Sequence, residues 1–173
     1  MTDKKNKFLP VNISILTISS TRNKKDDISG KTLEERIKKS GHILSNYEVI
    51  KDDKDLIKEK IKKWSDDVKI NVIITTGGTG LTGSDVTPEA VEDLFDKKIE
   101  GFSIIFHLIS FQKIRTSTLQ SRALAGIVNQ TYVFCLPGSP NAVKDAWDDI
   151  LIYQLDNNHK PCNFIEILDR LEE

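Results

Sequence analysis

Cysteine is scarce in this 173-residue chain: only Cys135 and Cys162 are present. Two thiols cannot build a disulfide framework, and these two lack metal-ligand spacing. Cys135 lies inside the apolar run YVFCL and reads as a buried core thiol. Cys162 and His159 fall three apart in HKPC. That pair reads better as C-terminal packing than as a nucleophile and its base.

Long hydrophobic runs are also missing. None approaches the ~20 residues that a membrane helix needs. The opening MTDKKNKF has no apolar core of the kind a secretory signal carries. A cytoplasmic protein is the expectation. An excess of one charge is absent too. With 25 basic and 26 acidic residues the net charge is −1, which is no footprint of a nucleic-acid binder. The lysines at 58–63 alternate with Ile57, Ile61 and Trp64 and read as the wet face of a helix. No internal repeat or low-complexity linker divides the chain. Its length fits one domain. Residues 1–10 are expected as a flexible tail and residues 11–173 as a single domain.

What the chain does have is alternation. Residues 11–19 (VNISILTIS), 71–76 (NVIITT) and 131–136 (TYVFCL) read as buried strands, and residues 47–50 as a weaker one. Helical patterns separate them, over residues 31–40, 55–66, 101–111 and 118–124. Thr87 at an N-cap with Pro88 behind it predicts another helix, and Ser139 with Pro140 predicts the last. Such an order means an α/β fold whose mostly parallel sheet is covered on both faces.

The densest signal is TTGGTGLTGSDVTP, residues 75–88. Four glycines stand within seven residues, directly behind a buried strand. An ordinary turn needs one or two. Four suggest a backbone that turns sharply and admits a ligand where a Cβ would obstruct. In open α/β sheets ligands sit outside the carboxyl ends of the strands. Residues 19–22, Asp52 and Asp53, residues 77–85 and residues 137–139 all end there. Asp52 and Asp85 would bring carboxylates into a site otherwise suited to phosphate. That combination makes chemical sense chiefly with Mg²⁺ between them. The bland alternative is a surface acid or, for Asp85, a capping residue.

Two familiar motifs are rejected. Residues 78–83 match the dinucleotide pattern G-x-G-x-x-G, yet the helix signals begin only at Thr87 and the loop follows the third strand. A P-loop would need a Gly-Lys-Ser/Thr that is absent.

TTGGTG, DVTPEA, GFSIIFHLISF, TSTLQSRALAG and LPGSPNAV, in this order, resemble the MoaB/MogA family of molybdenum cofactor biosynthesis. The likeness covers nearly the whole chain, and LQSR, PGS and PCNF bring it nearest the MoaB branch. It implies a three-layer α/β/α sandwich of the MogA-like molybdopterin-binding kind. It implies an adenylyltransferase that joins molybdopterin to ATP with Mg²⁺, releasing pyrophosphate. It also implies a homo-oligomer, a hexamer in the MoaB branch or a trimer in the MogA branch. A non-catalytic pterin- or nucleotide-binding scaffold or carrier in the same pathway is the alternative.

Residue by residue, the family's catalytic, metal-holding aspartates fall on Asp52 and Asp85. Its phosphate-binding loop falls on Gly77, Gly78, Thr79 and Gly80, with the PGS turn at Gly138 and Ser139. Its pterin side falls on Ser19, Thr21, Arg22, Ser117, Ser121 and Arg122. Three positions depart from the pattern. SDTR is common where this chain has Ser20, RDVTPEA where it has Ser84, and glycine where it has Arg115. Loss of a cation at position 84 removes a phosphate contact that Arg115 is expected to replace.

Overall fold

The computed structural model describes residues 7–172. Six strands form one sheet in the order β2-β1-β3-β6-β5-β4. β1 (Asn12–Ile18), β2 (Ile43–Ile50), β3 (Val72–Thr76) and β6 (Thr131–Leu136) run parallel. β5 (Leu124–Val128) lies antiparallel to β6, and the two-residue β4 (Lys97–Lys98) lies antiparallel to β5.

Period-two alternation in the central strands splits their side chains between two cores. Ile13, Ile15, Val72, Ile74, Phe134 and Leu136 point to one face. There they meet α1 (Ile28–Lys39), α4 (Glu100–Ile114) and α5 (Pro140–Ala146), whose chain continues through a π-helical turn to α6 (Ile152–Gln154). Leu16, Ile18, Ile73, Val133 and Cys135 point to the other. There they meet α2 (Lys54–Ser65), through Ile57, Ile61 and Trp64, and α3 (Thr87–Glu92), through Ala90 and Val91. A fully buried Ile, Leu or Phe is worth about 1.5–3 kcal/mol, so both faces contribute strongly. The result is three layers, as expected.

Four local expectations change. α1 begins at Ile28 rather than Lys31, because Asp27 accepts from the Gly30 N–H and caps the helix earlier. Thr87 is not a cap. It is the first residue of α3, and its Oγ1 donates to the Gly77 carbonyl at 2.9 Å. The helix expected over 118–124 is a 3₁₀ turn, Arg115–Gln120, followed by extended chain that becomes β5. β2 is longer than residues 47–50 because it pairs with β1 along its whole length, with one register shift at Ile13/Ser14. Of the tail expected over residues 1–10, residues 1–6 lie outside the described residues. Leu9 donates its N–H to Asn157 Oδ1 at 2.9 Å, and the Lys7 carbonyl accepts from Asn157 Nδ2.

β1 pairs with β2 on one side and β3 on the other, while the chain leaves β1 by α1 and reaches β3 by α2 on opposite faces. The crevice at the carboxyl ends of β1 and β3 is therefore a topological switch point, where such sheets hold ligands.

Candidate active site

A cleft of about 480 Å³ opens at this switch point. Its walls come from the loops after β1, β2, β3 and β6 and from the chain ahead of β5. Of the residues singled out from the sequence, Ser19, Thr21, Arg22, Asp52, Gly77, Gly78, Thr79, Gly80, Asp85, Ser121, Gly138 and Ser139 line it. Ser117 stands on the exposed 3₁₀ turn. Arg122 turns its guanidinium onto the glycine loop. Ser20, Ser84 and Gln120 complete the polar lining.

The glycines answer to the protein itself. Gly77 has φ +103°, and a Cβ there would lie 2.2 Å from the Ile18 carbonyl at the end of β1. Gly78 has φ +63°, and its Cβ would lie 2.4 Å from Thr87 Oγ1. At Gly80 it would lie 2.7 Å from an Asp85 carboxylate oxygen. Gly83 has open space around it. Three of the four are thus needed for close approach between loop, strand and helix, where the sequence suggested room for a ligand. The Thr87 N–H is committed to the Gly78 carbonyl at 3.0 Å, so that α3 amide does not face a phosphate.

The two adjacent aspartates after β2 divide their work. Asp53 caps α2, accepting from the N–H groups of Asp55 and Leu56. Asp52 is left facing the cleft. Its Oδ2 accepts from the Ser20 hydroxyl at 2.7 Å, and Ser20 Oγ accepts in return from the Asp52 N–H. Ser20 therefore orients Asp52 without adding charge. Asp85 accepts through Oδ2 from the Thr82 N–H at 2.9 Å and the Thr82 hydroxyl at 2.5 Å. The Thr82 hydroxyl holds the Asp85 carboxyl below the usual range; the backbone amides of Thr82 and Gly80 and the charge of Arg122 add to this, while burial opposes it. These contacts favour the ionised form of Asp85.

Ser19 Oγ accepts from the Thr21 and Arg22 amides and shapes the first loop. Arg22 Nη1 donates to the Gly138 carbonyl at 3.2 Å, tying that loop to the PGS turn. Ser139 Oγ accepts from the Ala142 N–H and caps α5, as its sequence position suggested. Arg115 does not turn toward the cleft. It sits at φ +54°, ψ −138°, with its guanidinium 5.8 Å from the Phe111 ring centre.

Sequence reasoning missed a buried polar cluster that adjoins the site through Gly138. Asp27, fully buried, accepts from Thr17 Oγ1, Tyr47 Oη at 2.7 Å and the Gly30 N–H. Gly30 leaves room for that tyrosine, since a Cβ would sit 2.3 Å from its oxygen. Ser29 donates to the Gly138 carbonyl at 2.8 Å. An N-cap aspartate at the head of Asp27-Ile28-Ser29-Gly30 was the available signal.

Residues 14–157 match the family model described as a probable molybdopterin binding domain. Molybdenum cofactor biosynthesis protein B of Escherichia coli (strain K12) is 43% identical over 166 residues, covering 95% of this chain and 96% of that one. The chain belongs to the MoaB/MogA family. The Bacillus cereus protein of the same name is 40% identical over 146 residues, covering 84% and 86%. A crystal structure of molybdenum cofactor biosynthesis protein B superposes with a TM-score of 0.85 at 36% identity, covering 95% and 97%. The MoaB described as tungsten cofactor synthesizing, from Pyrococcus furiosus, gives 0.78 at 29% identity, covering 95% and 98%. Membership of the MoaB/MogA family places the chain in molybdenum cofactor biosynthesis.

Proposed function

We propose that the cleft binds molybdopterin and Mg-ATP and transfers AMP to the terminal phosphate of molybdopterin, with release of pyrophosphate. The observation that carries this reading is the charge of the cleft. Asp52 and Asp85 face it, and among the described residues Arg22 is the only cation in its lining. Two polyanionic ligands would meet repulsion there without a divalent cation between carboxylates and phosphates.

The residues suit Mg²⁺, which takes one or two carboxylates and fills its other positions with phosphate oxygens and water. Among the described residues no group of three or more His, Cys, Asp or Glu offers a full protein cage. Bound at Asp52 and Asp85, the ion would neutralise charge on the reacting phosphates. The nucleophile is an ionised phosphate monoester, so no strong general base is required. One of its oxygens bonds to the α-phosphorus of ATP as the bond to the β-phosphate oxygen breaks, and that electron pair leaves with pyrophosphate. The chain's task is positioning and charge balance. Residues 77–80, Gly138 and Ser139 serve the phosphates, and Ser19, Thr21, Arg22 and Ser121 face the pterin side.

The exposed stripe of Ile104, Leu108 and Phe111 along α4 supports assembly as a homo-oligomer, a hexamer or trimer. A second reading, a carrier that binds without transferring, draws on the commitment of Asp85 Oδ2 to Thr82. Incubation with molybdopterin, ATP and Mg²⁺ separates the two. Adenylylated pterin is expected and should vanish with a chelator. Asp85→Asn should lower turnover by about 100-fold or more while pterin binding survives. Binding without product in the wild-type protein would establish the carrier instead.

A further inference from the structure

Arg122 stands just ahead of β5, and its guanidinium reaches across to the glycine loop. Nε donates to the carbonyls of Thr79 at 3.3 Å and Gly80 at 2.9 Å. Nη2 donates to the Asp85 carbonyl at 2.7 Å, and Nη1 pairs with the Glu89 carboxylate on α3. One planar group thus meets three loop carbonyls and one helix acid. Loop carbonyls have no ladder to satisfy them, so a side chain that collects three of them fixes the loop's path. Gly80 and Asp85 are the two residues whose close approach excludes a Cβ at position 80. Arg122 holds the carbonyls of both. Glu89 meanwhile balances its charge, which leaves little for an anion in the cleft.

We propose that Arg122 is a positioning residue: paired with Glu89, it locks residues 79–85 so that Asp85 is presented to the cleft, and it acts on turnover through Asp85 without touching the pterin. The inference rests on the proposed adenylyl transfer only for its kinetic readout. Its physical content is the loop. A guanidinium fork can serve these acceptors together, whereas the single ammonium of lysine cannot. A contact that merely supplied positive charge to a pterin phosphate would be partly kept by lysine.

Arg122→Lys, Arg122→Gln and Glu89→Gln distinguish the two roles. The measurements are kcat and KM for pterin and Mg-ATP, pterin affinity by calorimetry, and amide exchange over residues 77–86. Both Arg122 variants should lose about 10- to 100-fold in kcat, as misplacement by an ångström does. Pterin affinity should hold, and loop exchange should rise in both. Glu89→Gln should fall between them and the wild type. Pterin affinity lost in Arg122→Gln but kept in Arg122→Lys, with loop exchange unchanged, would overturn the proposal. If the wild-type protein adenylylates nothing, the reaction is refuted separately, and loop exchange with pterin affinity still decides the role of Arg122. If the Arg122 variants fail to fold, Glu89→Gln decides it by the same exchange measurement, since Glu89 is exposed.

Discussion

Alanine at Gly77 should unseat the glycine loop, while alanine at Gly83, six residues on in the same loop, should be harmless. At Gly77 the new Cβ would start 2.2 Å from the Ile18 carbonyl oxygen, a backbone atom of the central strand. Carbon–oxygen contacts relax only near ~3.3 Å, so loop or strand must move by about an ångström. Overpacking of that kind costs about 1–3 kcal/mol. The backbone adds to it, because φ +103° is disfavoured for a residue with a Cβ. Left-handed backbone costs roughly 1–2 kcal/mol. The sum is about 2–5 kcal/mol. A chain of this size loses about 2–4 °C in Tm per kcal/mol, which makes a drop of roughly 4–20 °C. Gly83 has no neighbour within 4 Å of a Cβ and no positive φ. Alanine there should lie within about 0.5 kcal/mol of the wild type, or gain slightly from a stiffer unfolded chain. Urea and thermal melts of the two variants provide the measurement. Equal stability of the two, or a Gly77→Ala protein that melts with the wild type, would refute the close-approach reasoning.

Two further outcomes are expected. Arg115→Gly should stabilise the protein by about 1 kcal/mol, because relief of about 1–3 kcal/mol of backbone strain exceeds the entropy cost of glycine and the loss of an exposed cation–π contact. Melts against Arg115→Ala, which keeps the Cβ at that φ, would check this, and calorimetry should find ligand affinity unchanged, since Arg115 does not reach the cleft. Leu108→Asp, on the exposed stripe of α4, should shift the protein toward monomers in sedimentation velocity while leaving the monomer folded.

The strands that were legible in the sequence are the central ones, where β-branched runs are buried on both faces and the local pattern coincides with the tertiary role. β5 was illegible for a specific reason. Its Leu124–Val128 run contains Gly126, which weakens a strand signal, and the glycine is there because the Phe95 ring would lie 2.5 Å from a Cβ. β4 is two residues long and exists only as the partner of β5. The start of α1 was misplaced because an aspartate cap looked like part of a polar loop. Asp27 reveals its role only when Thr17 and Tyr47, distant in the chain, close on it.

By itself the sequence determined the layered α/β class and the family, because residue order, strand periodicity and the loop motifs are local and survive without coordinates. It also named most of the cleft, since glycines and aspartates were read in fixed motifs. Tertiary structure alone decided how those residues are employed. Asp53 caps a helix and Asp52 faces the cleft; three glycines make room for protein atoms; Arg122 grips the loop and Arg115 turns away onto Phe111. Each of these depends on which atoms from remote segments arrive within a few ångströms, and spacing along the chain carries no record of that.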